Sequence, residues 1–556
     1  LASYLHLKRY RQIVNAFARQ GFGYLLDQMG LGEMISWAWQ SKDPEKHRLS
    51  FGARLRQVME ELGPAFIKLG QMLSTRGDLL PQEVIRELAK LQDRVPPFPF
   101  LEAKEIMQDE LGASWEKDFR WVEPEPLAAA SIGQVHRAEL ADGRQAVIKV
   151  RRPGVEQSIK VDLEIVVDLA RLAENRLPKA RFYHLVELME EFARTIKLEL
   201  DYTQEGRNSD RLRKNLARAN LVRIPETFWQ YTTARVLTME YLAGIKLNNL
   251  NELDHHRIDR CRVAKKLIEV FLQQILLDGF FHADPHPGNL AVLPDQTLVL
   301  LDFGVVGRLS EEQKIHFGTL VLGITSRSSS QVIRALARMG ILSADMDTRA
   351  LRRDVDLLSE RYYDLPLGQI RLGEVFVELL DLAFIHQLRI PSELALIVKS
   401  LVTVEGIIRE LHPQLSMVEI AQPMAGKLMG RRLAPGFLAR QAEEYLGEYS
   451  SMALEFPRKI DRLVTALVEG RLSLGLSHHN LDQVMRQMEK MANRLSFSLV
   501  LLAFSIVMAG LLVATALSAE RGRVFLWGLP FLEVSFILAS VMVALLCWAI
   551  FRSGRI

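Results

Sequence analysis

Two short segments, His282-Ala283-Asp284-Pro285-His286-Pro287-Gly288-Asn289 and Leu301-Asp302-Phe303-Gly304, constrain what this chain can fold into more than anything else in it. Asp284 and Asn289 have the D-x-x-x-x-N spacing of a phosphoryl-transfer catalytic loop, and Asp302 opens a D-F-G. Transfer from ATP needs a carboxylate beside the nucleophile, and an amide and a second carboxylate to hold Mg2+. All three occur here in that order. Strand signals from about Phe119 to Leu242, followed by helical periodicity, predict an α+β chain of two lobes, a β-rich small one followed by a larger helical one. His282 and His286 stand four apart, as two metal ligands on a helix would. Pro285 and Pro287 make a helix unfavourable there, so the better reading is that both rings brace the loop backbone.

Upstream, Gln134–Leu140 and Gln145–Val150 flank Ala141-Asp142-Gly143-Arg144, a hairpin signal. Lys149 ends the second strand, where it can reach the α- and β-phosphates. The loop before the hairpin, where glycines usually cover phosphate, reads Ala128-Ala129-Ala130-Ser131. Alanine resists positive φ and holds the backbone away from a phosphate, so nucleotide binding should differ from that of a glycine loop. A helix start is the other reading of the alanines. Lys149 needs a carboxylate partner, and Glu199, Asp201 and Glu205 lie on one helical run. Asp201 and Glu205, four apart, share a face, and any of the three could pair with Lys149. Met239-Glu240-Tyr241 falls at the adenine hinge by position.

With 556 residues the chain exceeds one compact core, and about two to four modules are expected. Charged residues make up 25% and the net charge is +3, which gives no bulk attraction to nucleic acid. Cys261 and Cys547 are the only cysteines, so a disulfide framework is excluded and a reducing compartment is the simpler reading. From Leu495 to Ala519 no residue is charged, and a second apolar run extends from Pro530 to Phe551 with one acid, Glu533. Each can cross about 30 Å of hydrocarbon. Together they predict a two-helix transmembrane hairpin, with two buried core helices as the alternative. Lys490 and Arg494 before it, and Arg552 and Arg555 after it, place both ends in the cytoplasm. Residues 1–26 carry Lys8, Arg9, Arg11 and Arg19 and no acid, which suits either a membrane-surface or transit-type segment or the exposed face of an ordinary helix. The first residue is Leu1, which leaves the true N-terminus open.

On these residues the chain resembles the UbiB (AarF-type) family of atypical protein-kinase-like proteins of ubiquinone biosynthesis. Pro64-Ala65-Phe66-Ile67-Lys68-Leu69-Gly70-Gln71 is similar to its K-x-G-Q signature, Ala128-Ala129-Ala130-Ser131 to its alanine-rich nucleotide loop, and Glu199-Leu200-Asp201 to its E-x-D element. The resemblance implies that Lys68 and Gln71 fold over the site where a protein substrate would sit, and that Glu205 pairs with Lys149. It further implies that Asp284 is catalytic and that Asn289 and Asp302 hold magnesium. The expected layout is a helical extension over 1–115, a small lobe with inserted helices over 116–244 and a large lobe over 245–430. A helical linker over 431–494 and the hairpin over 495–551 follow. The implied activity is slow ATP hydrolysis by a membrane-anchored protein on the cytoplasmic side of the bacterial inner membrane. Its implied partners are ATP, Mg2+, the bilayer, polyprenyl ubiquinone precursors and quinone-biosynthesis enzymes; a homodimer stays open. The rivals are a small-molecule kinase acting on a prenyl-phenol and a non-catalytic scaffold for quinone-biosynthesis enzymes.

Overall fold

The computed structural model describes residues 2–31, 49–91, 96–177, 183–217, 222–342, 348–362 and 365–432, with scattered positions between 495 and 537. Residues 1–442 form one compact unit and 443–556 another.

The small lobe is built on β1 (Phe119–Val122), β2 (Ala128–Ala129), β3 (Gly133–Leu140), β4 (Gln145–Arg151) and β6 (Val236–Glu240), while β5 (Val222–Arg223) pairs elsewhere. The strand order is β1-β3-β4-β6, with β2 also on β3. Side chains alternate faces along a strand. Ala138, Ala146, Ile148 and Val150 therefore pack against Ala103, Ile106 and Met107 of the helix Phe100–Leu111. Val147 turns the other way, toward Leu237, Met239 and Tyr202. The β3–β4 turn forms at Asp142-Gly143, where Gly143 has φ +89° and the Arg144 N–H donates to Asp142 Oδ1 at 3.0 Å. The helix Phe100–Leu111 belongs to this core, so the boundary expected at 115 falls one element late. Composition does not separate this helix from the earlier ones; only its packing partner does.

Gly133 begins β3 at a point with no room for a side chain. A Cβ there would lie 2.3 Å from Tyr202 Oη and 2.5 Å from the Val150 carbonyl oxygen. The carbonyl is backbone and cannot move aside. Gly133→Ala should therefore destabilise the protein by about 1–3 kcal/mol, read as a lower thermal midpoint. Tyr202→Phe should not rescue it, because the carbonyl clash remains.

Among the described residues, the helices inserted after β4 are Val155–Arg176, Leu185–Glu199 and Tyr202–Leu216. The first two share a core with the extension, where Val58, Phe66, Leu69 and Leu88 meet Ile159, Val166, Phe192 and Ile196. The basic N-terminal segment is part of this packing. It forms the helix Ala2–Phe17, buries Ile13 and Val14, and its Arg9 Nε donates to Asp162 Oδ1 at 2.6 Å. One face of the segment is thus packed, while Lys8 and Arg11 stay exposed.

The large lobe opens with β7 (Ile245–Lys246), followed by β8 (Phe280–His282), β9 (Leu290–Val292), β10 (Leu298–Leu300) and β11 (Val306–Arg308). These make a β5-β10-β9-β7 sheet and a β8-β11 pair. The helices Arg260–Leu272, Glu311–Thr325, Leu372–Ile385 and Ser392–Leu411 surround them over one large apolar core. The extension also reaches this lobe. Arg76 and Asp78 pair at 2.7 Å, both buried, and the Ile390 N–H donates to Asp78 Oδ2 at 3.3 Å. Gln82 Nε2 donates to Asp381 Oδ1 at 2.8 Å.

In the second unit Phe525–Leu526 and Leu529–Pro530 pair antiparallel, so the chain reverses between them. Among the described residues no helix is long and apolar enough to cross a membrane. The expected linker and hairpin lie almost wholly outside the described residues.

Candidate active site

The site forms where β4, the helix Tyr202–Leu216 and the loop after β10 converge. Lys149 points off β4 on the face it shares with Val147. Its Nζ meets Glu205 Oε2 at 2.8 Å and Oε1 at 3.1 Å, and Asp302 Oδ2 lies 3.7 Å away. Of the three candidate acids, Glu205 is thus the one that holds Lys149. Burial pulls the Lys149 ammonium down, but the Asp302 and Glu205 carboxylates outweigh it and hold its pKa well above the ordinary lysine value. Burial pushes the Glu205 carboxyl up, with Lys149 pulling against it. The two-oxygen contact is that of an ammonium on a carboxylate, so the pair is ionised. The Tyr202 ring lies beneath the cation, its centroid 5.3 Å from Nζ.

Asp302 adopts φ +58°, a left-handed conformation that few non-glycine residues take. In that conformation its carboxylate faces Lys149, and the Gly304 N–H donates to Oδ1 at 3.2 Å. Lys149, against burial and with help from the more distant Lys68, holds its carboxyl down at about 2. The side chain is still 49% exposed, open to the cleft. Phe303 is buried, and its carbonyl accepts from Asn208 Nδ2 at 3.0 Å.

The catalytic-loop candidates are fixed through the backbone. His282 is fully buried. Its Nε2 bonds the Leu301 carbonyl at 3.0 Å and its Nδ1 accepts from the Asp284 N–H at 3.2 Å. A carbonyl only accepts, so the proton sits on Nε2, and burial lowers the ring's pKa and keeps it neutral. His286 Nδ1 accepts from the Gly288 N–H at 3.1 Å. Both histidines brace the loop. Asn289 Nδ2 donates to the Asp284 carbonyl at 3.1 Å, which orients its amide.

Other expected residues have different partners. Lys68 meets Glu199 Oε1 at 2.6 Å, which joins the extension to the helix Leu185–Glu199. Gln71 Nε2 donates to the Leu91 carbonyl at 3.3 Å. Asp201 caps the next helix, accepting from the Thr203 N–H at 3.0 Å and the Thr203 hydroxyl at 2.7 Å. Glu240 is bonded by Arg223. The Tyr241 ring lies under the Arg137 guanidinium at 4.8 Å. Both side chains are thus engaged by arginines. Ala128 and Ala129 are a strand rather than a helix start. The Ala130 N–H donates to the Gly133 carbonyl at 2.7 Å, and the Ser131 hydroxyl is buried with no partner among the described residues.

Two cations were not foreseen. Lys399 Nζ lies 2.9 Å from Asp284 Oδ1, and Lys246 donates to the Gly288 carbonyl. Asn208 was missed as well, although it stands three residues after Glu205 on the same helix and helical phase could have found it.

These features stand beside clear relatives. An ABC1 atypical kinase-like domain matches residues 90–336, a UbiB helical domain 355–416 and an ABC1/UbiB kinase-like C-terminal domain 479–552. An uncharacterised protein from the hydrogenase 1 5' region of Clostridium pasteurianum is 30% identical over 99% of both chains. The Pseudomonas aeruginosa protein named "Probable protein kinase UbiB" is 35% identical over 78% of this chain and 82% of its own. Among solved structures, an erythromycin complex of a Mycobacterium tuberculosis protein aligns with a TM-score of 0.47 at 22% identity, over 68% of this chain and 94% of that one. With its α+β kinase-like fold and these matches, the chain belongs to the ABC1/UbiB family of atypical kinase-like proteins.

Proposed function

We propose that this protein is a magnesium-dependent ATPase or phosphotransferase acting in ubiquinone biosynthesis. The observation that carries the nucleotide reading is the triangle of Lys149, Glu205 and Asp302, a held cation and an open carboxylate 3.7 Å apart across the lobes. The donor set fits magnesium, which takes hard oxygen ligands and keeps several waters. An ionised Asp302 and an oriented Asn289 amide supply two such oxygens. Mg2+ and ATP, when bound, would supply the transferable phosphoryl group and neutralise its developing charge. Lys149 would hold the phosphates and Glu205 would fix Lys149. Asp284 would orient the attacking water or hydroxyl, and Lys68, whose charge acts on Asp302, would exclude a protein substrate.

The lipid side of the reading rests on the resemblance to the UbiB family of ubiquinone biosynthesis and on the apolar C-terminal runs. The described large apolar residues of the first run, Leu495, Leu499, Leu502, Ile506 and Val513, are exposed, which suits a lipid-facing segment. A polyprenyl head group would then be presented to the cytoplasmic face of the inner membrane. The test is quinone profiling of a strain lacking its own family member. Wild type should restore quinone, and Asp284→Asn, expressed equally, should not. Equal restoration by both would leave the scaffold reading standing.

A further inference from the structure

We infer that Lys399 is the positioning residue for Asp284, supplied to the catalytic loop by a helix more than a hundred residues downstream. The inference rests on the phosphoryl-transfer reading above.

A carboxylate that must orient a water or hydroxyl has to be held in one rotamer, and a partly exposed Asp left alone samples several. The loop cannot hold it from within, because residues 282–289 contain neither Lys nor Arg. His282 and His286 are committed to the backbone. Lys246 engages the loop at the Gly288 carbonyl and not at the Asp284 carboxylate. The Asp284 side chain is 40% exposed, and among the described residues its ion pair comes from Lys399 Nζ at 2.9 Å. That contact touches only Oδ1, so the other carboxylate oxygen can face the cleft.

The supporting helix, Ser392–Leu411, is itself registered against the loop. The next residue, Ser400, is fully buried and its hydroxyl donates to the His282 carbonyl at 3.2 Å. Two adjacent residues therefore grip both sides of Ala283. The segment leading into the helix is anchored as well, since the Ile390 N–H and carbonyl are both bonded by the Arg76–Asp78 pair of the extension. A lysine on a freely placed helix would make an ordinary surface pair worth little. Here the helix cannot shift without breaking buried bonds at both points.

The test is Mg-ATP hydrolysis by the full chain as wild type, Lys399→Met, Lys399→Arg, Asp284→Asn and the Lys399→Met/Asp284→Asn double variant. Lys399→Met should lower kcat about 10- to 100-fold while KM for Mg-ATP stays within about threefold, since misplacing one reacting group costs rate rather than binding. Lys399→Arg should recover part of the loss. Adding Lys399→Met to Asp284→Asn should cost less than about twofold, because the lysine acts through the carboxylate already removed. If Asp284→Asn falls below detection, the kcat–KM split and the Arg rescue decide. An unchanged kcat, a loss confined to KM, or equal losses in both backgrounds would overturn the assignment while leaving the nucleotide reading intact. A wild type that neither binds Mg-ATP nor releases phosphate would remove that reading, and this inference with it.

Discussion

Asp302→Asn is expected to abolish Mg-dependent turnover, by roughly 100-fold or more, while leaving the protein folded. The substitution isolates charge from shape. Asp302 sits at φ +58°, and Asn tolerates the left-handed region as well as Asp does, so the backbone has no reason to move. The lost charge is the one that matters for a divalent cation. The neighbouring Lys149 keeps this carboxyl at about 2, so it is fully ionised at neutral pH. Stability should change little, because the side chain is half exposed and Lys149 retains Glu205. Nucleotide titrations with Mg2+ and with EDTA make the distinction. Affinity in Mg2+ should fall toward the EDTA value, and the EDTA value itself should not drop. Wild-type turnover in Asp302→Asn would show that this carboxylate does not hold the metal.

The motifs that were legible are those whose chemistry is local. Asp284, Asn289 and Asp302 lie within one short stretch, and their spacing carries the phosphoryl-transfer signal without tertiary help. The β3–β4 hairpin was legible because Asp142-Gly143 is a turn signal strong enough to stand without tertiary help. The acids were harder. Reading 199–205 as one helical run puts Asp201 and Glu205 on one face, but the chain breaks there. The helix Leu185–Glu199 stops, and Asp201 caps the next by taking the Thr203 N–H. A short polar side chain offers the backbone an alternative to the helix, so a phase carried across Asp201 has no meaning. Glu205, inside the second helix, is the acid whose phase survives. Of the two readings of the alanines, the helix start is the one that packing overrides. Alanine favours helix intrinsically, yet Ala128 and Ala129 are drawn into a strand by pairing with Val135 and Gln134. Lys399 was illegible in principle. Nothing beside it in sequence carries chemistry, and its partner lies 115 positions away, brought close only by the packing of the large lobe.

Lys149→Met should cost more stability than any cleft variant that spares the buried pair. Glu205 is only 4% exposed, and its carboxylate is paired with the Lys149 ammonium. Removing the ammonium strands a buried carboxylate, an expected loss of about 3 kcal/mol at neutral pH. The loss should depend on pH with a definite sign. Without Lys149, burial raises the folded-state pKa of Glu205 further above its unfolded value. The folded state then binds more protons than the unfolded one between those two values, and stability falls as pH rises through that window. The gap between Lys149→Met and wild type should therefore narrow on acidification and be widest above neutrality. Glu205→Leu added to Lys149→Met should bring the thermal midpoint back close to wild type, since an apolar pair of similar volume often replaces a buried ion pair at little cost. Turnover should stay lost in the double variant. Recovered stability without recovered activity would show that this pair is kept for the phosphates it positions and not for the fold. A double variant as unstable as Lys149→Met, or a stability gap that widens in acid, would contradict this.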